Sequence, residues 1–297
     1  MSRQHDEERT SPPLTDQQIQ RFHRDGLVIV PGLFSADELE PLRSLTREQL
    51  LAIQTQVRAD GDLTYKVAIW TNLDDSLIGK LPRIPRVVRA VEALLGCQCY
   101  HWHSKLLRKQ PGDAAVGIHQ DFATWYEDGC LSPRMLTCTI AIDDNDRANG
   151  CVYFVPGSHR MARFHRVRLG DTIDTHGPDP RRVEAAVARG GLVYGELRTG
   201  DALFFHCNTL HGSEANNSER PRTVVHCSYN AVDNQPVPMP HQDHHRYRPL
   251  VQVADDFLDR RQYDAIFGDR TFHRPETLDD VGAGIFYRKA DSDVAAS

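Results

Sequence analysis

His119 and Asp121 stand two residues apart in the segment Gly117-Ile118-His119-Gln120-Asp121-Phe122. Side chains at i and i+2 of a strand share a face, so an imidazole and a carboxylate at this spacing can enter one cavity and share a metal ion. A third ligand is needed. The segment Thr209-Leu210-His211-Gly212-Ser213 offers His211, and Arg222 follows it by eleven residues. Two histidines and one carboxylate, with positions left open, make the facial triad of non-haem Fe(II) oxygenases. The same donors suit Zn2+, but a zinc hydrolase needs a general base and no glutamate stands near the triad to serve as one. Fifteen histidines also make chance clusters likely enough to need a control, and the chain supplies it: His241-Gln242-Asp243 repeats the tripeptide. Beyond its neighbours His244 and His245 only His273 follows, and Gly284 occupies the place eleven residues past that. The first copy is therefore read as the metal site and the second as a surface or lid segment.

Composition sets the surroundings of such a site. A chain of 297 residues can bury about 75% of its extended surface, and β barrels of roughly 200–250 residues form single units. Hydrophobic residues at 40% and charged residues at 26% are ordinary for a soluble globular protein. A net charge of −6 and a pI near 6.2 exclude a general nucleic-acid binder, which carries a basic patch. The apolar runs Leu27–Val30 and Ala202–Phe205 fall far short of the roughly 18 residues that span a bilayer, and Met1–Thr10 has no apolar signal core. Seven irregularly spaced cysteines fit reduced thiols in the cytoplasm. Cys97-Gln98-Cys99 has no second cysteine pair with which to bind a metal. The expectation is a cytoplasmic monomer or homodimer acting on a small molecule, with neither nucleic acid nor membrane as partner.

The elements that must position the triad can be read in order. Residues 1–13 are polar and are expected to form a disordered tail before a single domain over 14–290. Thr15-Asp16-Gln17-Gln18 and Ser35-Ala36-Asp37-Glu38 have the form of capping boxes. The first opens a helix with Ile19, Phe22 and His23 on one face, which Gly26 stops before a strand at Leu27–Val30. The second opens a longer helix carrying Leu39, Leu42, Leu45 and Leu50. Residues 58–85 read as irregular, broken by Gly61, Gly79, Pro82 and Pro85. Val87–Leu95 reads as a helix closed by Gly96. Strands are expected at Tyr100–Leu107, Met135–Ile142, Cys151–Val155, Gly191–Leu197, Asp201–Cys207 and Thr223–Asn230, with a short helix at Val183–Ala188. The Pro- and His-rich stretch 231–250 is a candidate lid, and Val251–Phe257 a candidate helix. Short strands behind N-terminal helices predict a mainly β fold, a barrel or sandwich with flanking helices.

Taken together, Pro111-Gly112, His119-x-Asp121, Asn149-Gly150, Pro156-Gly157-Ser158-His159, Gly200-Asp201, His211-x-Ser213 and Arg222 resemble, in order and spacing, the phytanoyl-CoA dioxygenase family of Fe(II)/2-oxoglutarate oxygenases. The opening Gln18-Ile19-x-x-Phe22-x-x-Asp25-Gly26, running into Val30-Pro31-Gly32-Leu33-Phe34-Ser35, is similar too. The resemblance covers about residues 14–230 and implies a double-stranded β-helix core, the jelly-roll or cupin-like fold. It implies Fe(II) held by His119, Asp121 and His211, with 2-oxoglutarate and O2 as cosubstrates. Arg222 matches the residue that pairs with the distal carboxylate of 2-oxoglutarate, and Ser213 its hydrogen-bonding helper. A planar guanidinium suits that task because it binds a carboxylate bidentately and stays charged. Lys105 and Thr137 are further cosubstrate candidates. Upstream of His119 the family pattern aligns only with a gap.

Within the family, His119 to Gly129 and Pro133-Arg134-Met135 look most like ectoine hydroxylases. That likeness implies Trp125 and Phe205 as pocket walls, with Arg134 and His226 as substrate candidates. There are departures: Gln120 and Tyr126 replace a serine and a histidine of that signature, and His226 stands where those enzymes place an aromatic ring. The ectoine-type N-terminal segment is missing as well. The expectation is a hydroxylase of an unactivated C–H bond in another small polar metabolite or natural-product intermediate. Ectoine hydroxylation, desaturation or cyclisation by the same oxidant, and a silent jelly-roll binding protein stand as alternatives. Related halogenases carry a small residue at the Asp121 position, so the carboxylate there favours hydroxylation over halogenation.

Overall fold

Thr15 and Ser35 open helices as their capping boxes require. The computed structural model describes residues 14–45, 48–50, 55–58, 64–168, 176–239 and 247–268. The Thr15 hydroxyl accepts from Gln18 N–H at 3.2 Å while Gln18 Oε1 accepts from Thr15 N–H at 2.8 Å. Helix α1 (Asp16–Asp25) then ends on Gly26, whose φ of 81° only glycine adopts readily. Strand β1 (Leu27–Val30) follows at once. Of the face expected on α1, Phe22 is buried and Ile19 partly so, while His23 is exposed. Helix α2 (Ala36–Arg43) is shorter than expected. Pro41 lies inside it and the Ser44 hydroxyl caps the Glu40 carbonyl at 3.0 Å, although Leu45 and Leu50 still reach the core.

The stretch 58–85 is more ordered than its glycines and prolines suggest. It contributes β3 (Thr64–Trp70), paired with β2 (Thr55–Arg58), and a short helix α3 (Leu77–Lys80). The reason lies in the neighbour: Val67–Trp70 align against β4 (Cys99–Lys109), and Trp70 is wholly buried. Pro85 starts helix α4 (Pro85–Leu95) at a position where its missing N–H costs nothing. The remaining elements are β5 (Val116–His119), α5 (Asp121–Glu127), β6 (Met135–Ala141), β7 (Val152–Phe154), β8 (Arg166–Arg168), β9 (His176–Pro178), α6 (Pro180–Gly190), β10 (Val193–Tyr194), β11 (Ala202–His206), β12 (His211–Ser213) and β13 (Arg222–Ala231). The strand expected over Gly191–Leu197 shrinks to two residues on β7, and Leu197 makes only an isolated bridge with Asn145. Val251–Phe257 is not helical: Val253 N–H is spent on the Arg83 carbonyl, and Phe257 plugs into the core.

Among the described residues every strand pairing is antiparallel. A seven-stranded sheet runs β1-β11-β6-β13-β4-β3-β2 and faces a four-stranded sheet, β10-β7-β12-β5. This is the mainly β, double-stranded β-helix architecture with helices outside it. Residues alternate across the large sheet. Leu136, Cys138, Ile140, Phe204, Val225 and Cys227 point outward into a core shared with Phe22, Leu39, Val87 and Val91. Thr137, Phe205, His226 and Ser228 point inward, between the sheets. The cysteines are free, as expected of reduced thiols. Among the described residues, no helix is long and apolar enough to cross a membrane. Residues 1–13, the copy His241-Gln242-Asp243 with His244 and His245, part of the candidate lid 231–250, and His273 lie outside the described residues.

One buried ion pair ties the N-terminal helices together. Glu38, 4% exposed, accepts from Ser35 N–H at 2.8 Å and pairs with Arg86, whose guanidinium also lies 4.5 Å from the Phe34 ring centroid. Removing one partner of a buried pair leaves an uncompensated charge, so Arg86→Met is expected to cost about 3 kcal/mol or more in denaturant unfolding. Ser35→Ala, which loses only the cap, is expected to cost about 1 kcal/mol. Equal effects of the two substitutions would contradict this ranking.

Candidate active site

Strand β5 ends at His119, Gln120 continues in extended conformation, and Asp121 begins α5. That bend gives the carboxylate its approach to the two imidazoles. His119 lies directly across from His211 in the β5–β12 pairing, and their ring centroids are 4.3 Å apart. Asp121 Oδ1 is 3.7 Å from His119 Nε2 and 3.9 Å from His211 Nε2. One ligand atom from each residue lies within 4.8 Å of the others. Two donors each about 2.1 Å from one ion stand about 3–4 Å apart, so the three fit a shared metal. The ring tautomers suit this as well. His119 Nδ1–H donates to the Gly117 carbonyl at 2.8 Å and His211 Nδ1–H to the Thr209 carbonyl at 2.9 Å, which leaves both Nε2 lone pairs for an ion.

Gln120, between two of these residues, is buried and structural. Its Nε2 donates to the Asn208 carbonyl at 2.9 Å and its Oε1 accepts from Phe164 N–H at 2.7 Å. The bend therefore hangs on two loops from elsewhere in the chain.

The three residues open onto a cleft between the sheets. Arg222 lines it and is 1% exposed, and its Nε and Nη1 have no hydrogen-bond partner. A buried guanidinium with idle donors is poised for a planar anion. Burial pushes it down to about 10, which leaves it charged at neutral pH. Ser213 lies beside it on the lining, its Oγ accepting from Lys109 Nζ at 2.9 Å. Burial, then the charge of Arg222, pushes Lys109 down to about 7. Burial also lowers Lys105, although Asp121 and Asp128 oppose the shift. Burial alone would raise the Asp121 carboxyl, but His211, Lys105 and His119 hold it below the usual range. The donor set thus fits a divalent cation, and the arginine beside it fits a dicarboxylate cosubstrate.

Of the residues singled out in the sequence, His119, Asp121, His211, Ser213, Arg222, Lys105, Thr137, Phe205 and His226 all line this cleft. Trp125 does not. Its ring packs with Tyr100, Trp102, Phe122 and Met135 in a separate apolar cluster. Arg134 does not either: it bonds Asp233 and, at 3.2 Å, Cys97 Sγ near the surface. Tyr126 is 42% exposed, with the Arg163 guanidinium 4.3 Å from its ring centroid. The sequence reading missed the apolar wall of Leu107, Val116 and Val152, and Ser228 on β13. It also missed Lys109. The signal was available in period two, since Lys105, Leu107 and Lys109 must share one face of β4.

A double-stranded β-helix that gathers a His–Asp–His cluster and a buried arginine into one cleft is the architecture of the Fe(II)- and 2-oxoglutarate-dependent oxygenases. The phytanoyl-CoA dioxygenase (PhyH) family matches residues 22–224. The ectoine dioxygenase of Bordetella parapertussis is 31% identical over 237 residues, 74% of this chain and 77% of the relative. EctD from S. alaskensis, solved with bound Fe, shares the fold with a TM-score of 0.67 at 25% identity, over 82% of this chain and 88% of that one. The alpha-ketoglutarate-dependent carbocyclase SnoK of nogalamycin biosynthesis is similar in fold, with a TM-score of 0.63 at 24% identity, over 81% and 93%. The chain belongs to the phytanoyl-CoA dioxygenase family. It is an Fe(II)/2-oxoglutarate-dependent dioxygenase that hydroxylates a small metabolite, with O2 as second cosubstrate.

Histidine burial makes the metal-free protein acid-sensitive. Burial first, with nearby positive groups, pushes His101 and His226 down to about 3 and His119 and His206 to about 4. Unfolded histidines titrate near 6.5. Below that pH the unfolded chain takes up protons that the folded one refuses, so stability falls as pH drops from about 6.5 towards 4. Urea midpoints of the metal-free protein between pH 7 and 5 should fall accordingly. His101→Gln, outside the cleft, should reduce the slope by up to about 1.4 kcal/mol per pH unit, one proton's worth. A midpoint unchanged by acidification would refute the assignment.

Proposed function

We propose that His119, Asp121 and His211 hold Fe(II), that Arg222 and Ser213 hold the distal carboxylate of 2-oxoglutarate, and that the substrate is a small polar metabolite other than ectoine. The observation that carries this reading is the pairing of the His–Asp–His cluster with the unpartnered, buried Arg222 guanidinium in one cleft. Bound there, iron and 2-oxoglutarate would supply the oxidising chemistry: the keto acid is decarboxylated to succinate and CO2 as O2 is consumed, and one oxygen atom goes to the substrate.

The chain's own residues do the rest. The Gly117 and Thr209 carbonyls keep His119 and His211 in the tautomer that binds metal. Asp121 adds the negative charge that a divalent ion favours. Arg222 fixes one end of the cosubstrate, so that the keto acid end can meet the metal in a single pose. Leu107, Val116, Val152 and Phe205 form a wall that excludes water. Thr137 and Ser228, bonded to each other at 2.9 Å, and His226, held by Thr139 at 2.8 Å, offer hydrogen bonds to a polar ligand. Lys105 is a further cosubstrate contact.

Two placements speak against ectoine. Trp125 is packed away from the cleft, and His226 stands on the lining where the ectoine enzymes place an aromatic ring. The identity with the Bordetella enzyme keeps ectoine as the second reading. Phe257 and Leu258 share the main core with Phe22, in support of one domain over 14–290. Free thiols support a cytoplasmic setting, with monomer or homodimer as the assembly.

The test is anaerobic loading with Fe(II), then succinate release on admitting O2 with a metabolite panel that includes ectoine. Turnover should need a panel member, and its product should gain one oxygen; loss of two hydrogens instead would mark desaturation or cyclisation. His119→Ala and His211→Ala should each lose stoichiometric Fe(II) and at least about 100-fold in turnover, as expected when a metal ligand is removed. Retained turnover in either variant sinks the ligand assignment, and robust hydroxylation of ectoine sinks the substrate reading. Binding of both iron and 2-oxoglutarate without any turnover would instead mark a silent binding protein.

A further inference from the structure

Lys109 closes β4 with its side chain wholly buried, a rare place for an amine. Its Nζ donates to Ser213 Oγ at 2.9 Å and to the Glu214 carbonyl. In the β4–β13 ladder it stands directly across from Arg222, so both side chains leave the sheet on the same face. Two buried basic groups thus sit side by side, and among the described residues neither has a carboxylate bonded to it. Asp113 and Glu214 act on Lys109 only through space. Like charges buried together are costly unless an anion joins them. An ammonium has three donors and no acceptor, so Ser213 must accept from Lys109 and turn its own hydroxyl hydrogen elsewhere. The cleft that Ser213 and Arg222 line is where that hydrogen can go.

We propose that Lys109 is a positioning residue for the cosubstrate: it orients the Ser213 hydroxyl towards the distal carboxylate of 2-oxoglutarate and adds a second positive charge behind it. The proposal rests on the reading of Arg222 and Ser213 as the cosubstrate site. It does not require Lys109 to touch the ligand.

The test is calorimetric titration of the Fe(II)-loaded protein without O2. The ligands are 2-oxoglutarate and 2-oxobutyrate, a 2-oxo acid that lacks the distal carboxylate. Lys109→Met keeps the side-chain length and removes the charge. It should weaken 2-oxoglutarate about ten- to a hundredfold, the range for one charge-assisted contact, and leave 2-oxobutyrate unchanged. Lys109→Gln, which can still donate to Ser213, should recover part of the loss, and it replaces the methionine variant if that one fails to fold. The effect of Lys109→Met should shrink in a Ser213→Ala background, because the two residues act as a unit. Unchanged affinity for 2-oxoglutarate, or equal loss for both ligands, overturns the proposal. Arg222→Ala separates the two levels. If it too leaves 2-oxoglutarate binding intact, the underlying site reading has failed; if it alone weakens binding, only the role of Lys109 has.

Discussion

The short antiparallel pairing of β5 with β12 is the constraint on which the site depends. It sets His119 opposite His211, and a slip of one strand by one residue would put the two side chains on opposite faces of the sheet. The pairing shifts between His211 and Ser213, and Gly212 sits at that irregularity. A Cβ on Gly212 would lie 2.5 Å from Tyr153 Oη and 2.8 Å from the Val116 carbonyl. On the β5 side the backbone can therefore approach this closely only because that residue has no side chain. Each histidine is also held by the carbonyl two residues before it, Gly117 within β5 and Thr209 just ahead of β12, so the local backbone sets the tautomer as well.

From that pairing the charge layout follows. The small sheet and the start of α5 bring the side of the cleft with His119, Asp121 and His211. The large sheet brings Lys105, Lys109 and Arg222. Neither wall is neutral alone, and burial magnifies each charge because the surroundings polarise little. A divalent cation against Asp121 and a dicarboxylate against Arg222 balance both walls at once. This reciprocity explains why a protein would keep an arginine with idle donors in its interior, where isolated polar groups are expensive.

Much of this was legible in the chain, and the parts that were not have a common cause. Thr15, Ser35 and Gly26 act through neighbours three or four residues away, so their local pattern was sufficient to place the helices. His119, Asp121, His211 and Arg222 could be singled out because their spacing along the chain matches a family pattern, and all four line one cleft. What failed was decided across the sheet. Val67–Trp70 became a strand because β4 offered an edge, whatever breakers surrounded it. Val251–Phe257 lost its helix to tertiary contacts with Arg83 and the core. Trp125 was assigned to the pocket by position in a signature, but its ring packs with Trp102 in an apolar cluster that includes Tyr100. Lys109 was overlooked because a lysine at a strand end reads as solvated, and only the register with Arg222 shows that it is not.

The alternation in β6 and β13 carries the last step. Thr137, His226 and Ser228 alternate with apolar residues, a pattern that on an antiparallel sheet usually marks a solvent face. Here the apolar residues pack outward on the helices and the polar ones face the other sheet, so both faces are buried. Polar groups kept inside must find partners. Thr137 and Ser228 bond each other, and Thr139 bonds His226, so each pair is satisfied while a hydroxyl lone pair or ring nitrogen remains for a ligand. A wall of this kind selects by hydrogen bonding. Among the described residues Phe205 is the one carbocyclic ring on the lining, so the described walls offer little aromatic face to a cationic ligand. Hydroxyl, carbonyl or carboxyl groups suit such a wall, and it is this chemistry that supports the proposal of a substrate other than ectoine.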